Sequence, residues 1–305
     1  MNNLITIIIP IHNGEKWLKT CFDSLTAQTN QAFNVIAVLD NCTDQSETAV
    51  NAYKNRLQLQ VISVAHKSAA MARNEGLNRT QTAYCTFVDC DDYLHPETIS
   101  DCYKLVLQSA NQWQNVYSFG IVGRRKKDTH QTNLNSDDLN QNTCVARLYN
   151  TAFLNRNNIR FCDIPLREDY LFFQKCRVLN LKETNGAIGY VEYSRVLYYV
   201  NRNDGTKYDK TKIETAQYWQ RVIDYIRPFY SIADNGTIYM LAEILVQSGT
   251  AAARELYETT PKAIKHRLQQ NSVLHPKQYR ARVKHWNASG ENSIFQRLTN
   301  AKNRM

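Results

Sequence analysis

Three carboxylates stand within four residues in the segment Phe87-Val88-Asp89-Cys90-Asp91-Asp92-Tyr93. At that spacing they repel one another and raise each other's proton affinity unless a cation sits between them. Hard oxygen ligands suit Mg2+ or Mn2+, ions that also bind a diphosphate. Such an ion neutralises the charge that develops on a departing nucleoside diphosphate. The alternative is a solvated acidic turn that caps the next helix. A second pair, Glu168-Asp169, precedes the apolar run Leu171-Phe172-Phe173. Acids at that place serve as helix-dipole partners, or one of them takes the proton of an attacking hydroxyl. Asp40 closes another apolar run, where a carboxylate accepts from a base N–H or a ribose hydroxyl, or else forms an Asx-turn or helix cap. Arg73 suits a phosphate, the acidic cluster, or an exposed helix face.

The elements that must carry these residues alternate. Leu4–Ile9 is a β-rich run ended by Pro10, followed by the polar turn His12-Asn13-Gly14 and by Trp17, Leu18, Cys21, Phe22 and Leu25 at helical spacing. Strands are expected at Phe33–Leu39, Leu59–Val64 and Tyr84–Val88, with helices following Asp44 and over Ala69–Leu77. Strand and helix in alternation imply right-handed crossovers and a mainly parallel sheet flanked by helices. In such sheets ligands bind beyond the carboxyl ends of the strands, where Pro10, Asp40 and Asp89 all fall. Farther on, the pattern predicts a strand over Asn115–Gly123, a polar loop over Arg124–Asn142, helices over Val145–Asn155 and Leu166–Leu179, and short strands at Gly189–Tyr193 and Val196–Val200. Beyond Asp209 the chain reads as helical.

Hydrophobic residues at 43% and charged residues at 21% are ordinary for a globular protein and exclude wholesale disorder. No run approaches the ~20 apolar residues of a membrane span, and the first residues lack the basic start and cleavage site of a signal peptide. The eight cysteines form no C-x-x-C pair, so reduced thiols in a reducing compartment are expected over disulfides or zinc. The net charge of +9 is local. Lys262–Met305 holds ten of the 37 Lys/Arg but one of the 28 Asp/Glu, so the residues before it are neutral.

Several segments, in order from residue 4 to about 205, resemble the GT-A-fold glycosyltransferases of family 2. Ile5-Thr6-Ile7-Ile8-Ile9-Pro10-Ile11-His12-Asn13-Gly14 is similar to the opening strand and nucleotide loop, with His12 where the family usually has Tyr or Phe. Val38-Leu39-Asp40-Asn41-Cys42-Thr43-Asp44 resembles the VDDGSTD segment, with Leu39 for its first Asp. Ala72-Arg73-Asn74-Glu75-Gly76-Leu77 resembles the A-R-N-x-G-L helix, preceded by Lys67-Ser68 in place of a glycine pair. Asp89-Cys90-Asp91-Asp92-Tyr93-Leu94 resembles the D-x-D-D-Y-L signature, a DXD motif. The stretch from Leu148 through Phe161 to Glu168-Asp169-Tyr170 resembles the acceptor-side region with its E-D pair. Tyr198-Tyr199-Val200-Asn201-Arg202 resembles the closing segment, with Val200 where Arg is common.

The resemblance implies a GT-A (Rossmann-like) α/β domain over 1–209, with a nucleotide-sugar-binding half over 1–100 and an acceptor-side half over 101–209, then a helical, basic extension over 210–305. It implies an inverting single displacement from a nucleotide diphosphate sugar, with UDP as the leaving group and Mn2+ or Mg2+ as cofactor, onto a glycan, lipid-linked or glycoprotein acceptor. Asp91 is then the metal ligand, Asp89 lies near ribose and metal, and Asp92 is a supporting acid. Asp40 and the backbone around Pro10 and His12 hold the base, and Arg73 contacts the nucleotide. Asp169 is the catalytic base with Glu168 in support, and Arg202 stands in for the missing arginine at the diphosphate. A cytoplasmic protein, peripheral at the inner face of the membrane, is expected, with residues 262–305 on anionic lipid or an acidic partner. Leu268, Val273, Leu274, Val283, Trp286, Ile294, Phe295 and Leu298 would give that tail an apolar face. A homo-oligomer is a further option for this segment. A catalytically silent assembly subunit is the alternative reading, and nucleic acid is not expected because no recognisable motif for it occurs.

Overall fold

The computed structural model describes residues 3–108, 115–124, 143–183, 190–201 and 215–229. Chain contacts divide it into two units, Met1–Lys207 and Tyr208–Met305. The first opens with β1 (Ile5–Ile11), in which every residue is buried. A run of β-branched side chains hidden on both faces is what a central parallel strand requires. Helix α1 (Glu15–Thr26) buries Leu18, Cys21, Phe22 and Leu25, the helical stripe read from the sequence. β2 (Phe33–Asp40), α2 (Ser46–Asn51), β3 (Gln58–Val64), α3 (Ala69–Arg79) and β4 (Tyr84–Phe87) follow. β1 pairs in parallel with β2 and with β4, and β2 in parallel with β3.

The second half of this unit comprises β5 (Tyr93–Leu94), α4 (Thr98–Gln108), β6 (Val116–Arg124), β7 (Arg147–Asn150), α5 (Thr151–Arg156), α6 (Glu168–Glu183) and β8 (Tyr190–Asn201). One eight-stranded sheet results, in the order β3-β2-β1-β4-β7-β6-β8-β5. β6 and β8 run parallel, whereas β7 pairs antiparallel with β4 and β6, and β5 antiparallel with β8. The sheet is thus mainly parallel, with antiparallel pairs confined to its later half.

The strand order reverses between β1 and β4, which opens a crevice beyond their carboxyl ends. Pro10 sits where the ladder permits it. Val88 N–H is the last donor from the β4 side, bonding Ile8 O at 3.1 Å, and β4 diverges after it. Strand geometry turns Pro10 to the same side as Ile8, so its missing N–H falls where no partner strand remains. Gly76 sets the depth of α3. A Cβ at that position would lie 2.3 Å from Ile8 Cγ2, so the helix backbone rests directly on β1.

Three expectations are corrected. Val145–Asn155 is not one helix: Arg147–Asn150 is the strand β7, and only Thr151–Arg156 is helical. Arg147, Leu148 and Tyr149 are buried between β4 and β6, and that tertiary pairing overrides a local helical pattern. The two strands foreseen after Gly189 are the single strand β8, which follows β6 through register shifts near Gly120. Tyr93-Leu94, read only as part of a motif, forms the edge strand β5. In the second unit the described residues form α7 (Ala216–Ile226), whose N-cap Thr215 accepts from Tyr218 N–H. The polar stretch Arg124–Asn142 beyond Arg124 itself, Arg202 with the residues directly after it, and the tail 262–305 lie outside the described residues.

Candidate active site

Three loops meet at the crevice. After β1, Asn13 adopts a left-handed backbone (φ 49°), and its side-chain oxygen accepts Thr43 N–H at 2.8 Å from the loop after β2. Gly14 N–H donates to Ser46 Oγ at 2.8 Å. His12 Nδ1 lies 2.7 Å from Asp40 O, and since a carbonyl only accepts, this nitrogen carries the proton. Gly14 also faces the acidic turn, where a Cβ would lie 3.1 Å from Cys90 Sγ. These contacts bring Pro10, His12, Asp40 and the acidic segment to one end of the sheet.

Asp40 is buried, and its two oxygens accept the N–H groups of Lys67 (2.8 Å) and Ser68 (2.7 Å). Lys67 holds φ 57°, a left-handed conformation that a glycine adopts more cheaply. In this structure, then, Asp40 secures the turn into α3, and its two hydrogen bonds offset the strain of the lysine. Ser68 completes that start by capping Met71 N–H and by donating to Asp163 at 2.7 Å.

Arg73 projects from α3 into a nearly closed space. One terminal nitrogen donates to Asp89 Oδ1 at 2.8 Å and the other to Glu168 Oε1 at 3.0 Å, with the guanidinium 5.4 Å from the Phe161 ring centre. Of the readings open to this arginine, the structure shows a partner for the acidic cluster. Both forks are spent on carboxylates from two distant segments, a geometry suited to a planar guanidinium. Asn74, next along the helix, exchanges two hydrogen bonds with the backbone of Phe161 (2.8 and 2.9 Å). Phe161 in turn stacks on Phe172, with ring centres 3.9 Å apart, and this packing seats the start of α6.

The acidic segment is a tight turn closed by Asp92 N–H to Asp89 O at 3.0 Å. Asp92 is buried and accepts from Tyr198 Oη at 2.8 Å. The Asp91 carboxyl has no side-chain hydrogen bond or ion pair among the described residues, and burial, with the neighbouring Asp89 charge, raises its pKa. Opposite, burial raises the pKa of Glu168 and of Asp169, while the Arg73 charge opposes both shifts. Asp169 accepts from Tyr170 N–H at 2.7 Å and from Thr143 Oγ1 at 3.1 Å.

The two acidic motifs therefore form one constellation around Arg73. Among the described residues no three His, Cys, Asp or Glu side chains make a closed metal-holding group. A carboxyl that burial and a like charge push toward the neutral form, with no cationic side chain paired to it among the described residues, fits a hard ion completed by substrate phosphate oxygens. Asp91 is such a carboxyl. Sequence reasoning gave no role to Tyr198, which it quoted only inside a motif, nor to Thr143. Neither has a local signal, because each acts across a long sequence distance. All eight cysteines are free, and no described helix is long and apolar enough to cross a membrane.

Among proteins of known sequence, poly(ribitol-phosphate) beta-N-acetylglucosaminyltransferase TarS of Staphylococcus aureus is 25% identical over 226 residues, 70% of this chain. The poly(ribitol-phosphate) beta-glucosyltransferase of Bacillus spizizenii is 26% identical over 234 residues, 73% of this chain. The matched regions span 38% and 36% of those proteins. In structure, S. aureus TarS 1–349 in complex with UDP-GlcNAc superposes with a TM-score of 0.68 at 21% identity, covering 92% of this chain and 88% of that one. The mannosyltransferase PcManGT of Pyrobaculum calidifontis, in complex with GDP-Man and Mn2+, gives 0.52 at 14% identity, covering 94% and 85%. These likenesses show a GT-A fold. The family described as glycosyl transferase family 2 matches residues 6–180, more than half the chain, and the chain belongs to that family.

Proposed function

We propose that this chain is an inverting, metal-dependent glycosyltransferase that moves a sugar from a UDP-sugar onto an acceptor hydroxyl in bacterial glycan synthesis. The observation that carries the reading is the Arg73 bridge, which holds the Asp89 turn and the Glu168-Asp169 pair on one guanidinium. A donor acid turn and a base must face a common space for direct transfer, and a guanidinium shared by Asp89 and Glu168 supports that arrangement. Asp169 takes the acceptor proton as the acceptor oxygen bonds the anomeric carbon and the diphosphate departs with the electron pair. Glu168 and Arg73 orient that base, with Asp89 toward the ribose. Asp40, His12 and the Pro10 backbone line the base end. Asp91, supported by Asp92, would hold Mn2+ or Mg2+, which supplies charge neutralisation for the leaving diphosphate. Relatives whose names specify N-acetylglucosaminyl and glucosyl transfer support a hexosyl or N-acetylhexosaminyl donor and a glycan acceptor.

The proposal extends to organisation: residues 1–209 do the chemistry, and 210–305 form the extension, whose basic 262–305 attaches a cytoplasmic enzyme to an anionic membrane face or acidic partner. Arg202 is proposed at the diphosphate. Hydrolysis of a panel of nucleotide sugars, with divalent metal and with chelator, tests the reading. Metal-dependent release of UDP from one donor is expected. Binding of UDP without turnover of any donor, with or without acceptor glycans, would make the chain a silent subunit instead.

A further inference from the structure

The three acids of the Asp89–Asp92 turn stand in three different states, and a residue from the far end of the sheet accounts for the difference. Asp89 is held by Arg73 at 2.8 Å. Tyr198 Oη donates to Asp92 Oδ2 at 2.8 Å and accepts the N–H of Asp89 at 3.1 Å. Asp91, between them, has no side-chain partner among the described residues. Tyr198 is fully buried in β8, 109 residues beyond Asp89, and its backbone pairs with Leu94 in β5, directly after the turn.

We propose that Tyr198 is a positioning residue for the divalent cation: its hydroxyl occupies Asp92 and fixes the backbone at Asp89, so that Asp91 is the carboxylate left for the metal. This rests on the metal-dependent reading above. One hydroxyl spans both ends of a turn that Asp92 N–H to Asp89 O already closes, so the Asp92 carboxyl cannot rotate without breaking a buried hydrogen bond, and the backbone at Asp89 cannot shift without breaking a half-buried one. A group bonded directly to a metal ligand typically changes metal affinity about 10–100-fold when removed; Tyr198 acts on Asp91 through the turn instead, which places its effect at the lower end of that range. A tyrosine that only packed the core would affect stability alone.

The test uses the full chain with Tyr198→Phe. Thr6→Val serves as control, because Thr6 and Thr82 share a buried hydroxyl contact of 2.7 Å at the opposite end of β1. Melting temperature, calorimetric Mn2+ binding in the presence of UDP, and the Mn2+ dependence of donor hydrolysis are measured. Both variants are expected to melt lower than the parent. Only Tyr198→Phe should weaken Mn2+ binding, by about tenfold or more, with turnover largely restored at saturating Mn2+. Unchanged Mn2+ binding in Tyr198→Phe, while the parent binds UDP and Mn2+, overturns the positioning role alone. Absence of metal-dependent UDP binding by the parent overturns the functional reading and this role together. Should Tyr198→Phe fail to fold, Asp92→Asn decides. Near-parental Mn2+ binding supports the assignment, and a loss equal to that of Asp91→Asn makes Asp92 a ligand and refutes it.

Discussion

The stretch from β1 to β5 and the stretch from β6 to β8 build one site by different means. In the first, the functional residues other than Arg73, which α3 carries, stand at or just past the ends of β1, β2 and β4, strands paired with parallel neighbours. Pro10, Asp40 and Asp89 reach the crevice because the topology delivers strand ends there. In the second, strands pair in both directions, and single side chains reach across long distances. Glu168 meets Arg73 across 95 positions, and Tyr198 meets Asp92 across 106. One half positions its residues through the fold itself; the other does so through a few buried polar contacts. The first should therefore fail by unfolding, and the second by losing chemistry while staying folded.

The largest expected effect breaks the second half alone. Asp169→Asn should lower sugar transfer about 10²–10⁴-fold while leaving the fold intact, because the amide keeps the size but takes no proton. Transfer by the parent should also fall on acidification at a pH above the ordinary Asp value of about 3.9, since burial raises the Asp169 pKa. The sign for stability is opposite. With a folded pKa above the unfolded one, the contribution of Asp169 is fully present below the unfolded value and is lost as pH rises through the folded value. Asp169→Asn should therefore gain melting temperature over the parent as pH rises from about 4 to 7. A pH-independent difference would contradict that cause.

Arg73→Met cuts the link between the halves. It removes the cation from two partly buried carboxylates and should destabilise toward the lower end of about 3–5 kcal/mol, since Asp89 keeps contact with water. Denaturant unfolding checks the magnitude. The acid limb of transfer should also move upward, because the Arg73 charge is the largest of the effects that hold the Asp169 pKa down, ahead of the hydrogen bonds from Tyr170 N–H and Thr143. Loss of stability without a shifted limb would make the bridge purely structural. The smallest effect tests the first half through packing. Gly76→Ala should cost about 1–3 kcal/mol from overpacking against Ile8, reduced by the better helix propensity of alanine. A more stable variant would mean that α3 can lift from β1.

The same division explains what was legible. β1, β2 and β4 were readable because buried parallel strands are continuous apolar runs, each followed closely by a polar residue with a task, whereas β3 is a partly exposed edge strand that ends at Val64. The acidic turn and the Glu168-Asp169 pair were readable as chemistry. That they share Arg73 was not, because contact between residues 95 positions apart leaves no periodic trace. Arg147–Asn150 passed for helix because its apolar residues suit either period, and only pairing with β4 and β6 decides. Asp40 was open in sequence between contact with a base or ribose and an Asx-turn or helix cap. Its hydrogen bonds from Lys67 and Ser68 show that it also anchors the turn into α3, a contact across 27 positions that leaves no local signal.

One calorimetric titration tests the central claim, that a metal-assisted donor site and a separate base face each other across Arg73. UDP is titrated in the presence of Mn2+ into the parent, Asp91→Asn and Asp169→Asn. The account predicts that Asp169→Asn binds as the parent does, while Asp91→Asn loses the metal-dependent part of the affinity, an amide being a poor ligand for a hard ion. Parental binding by Asp91→Asn, or loss of UDP binding by Asp169→Asn, would contradict it.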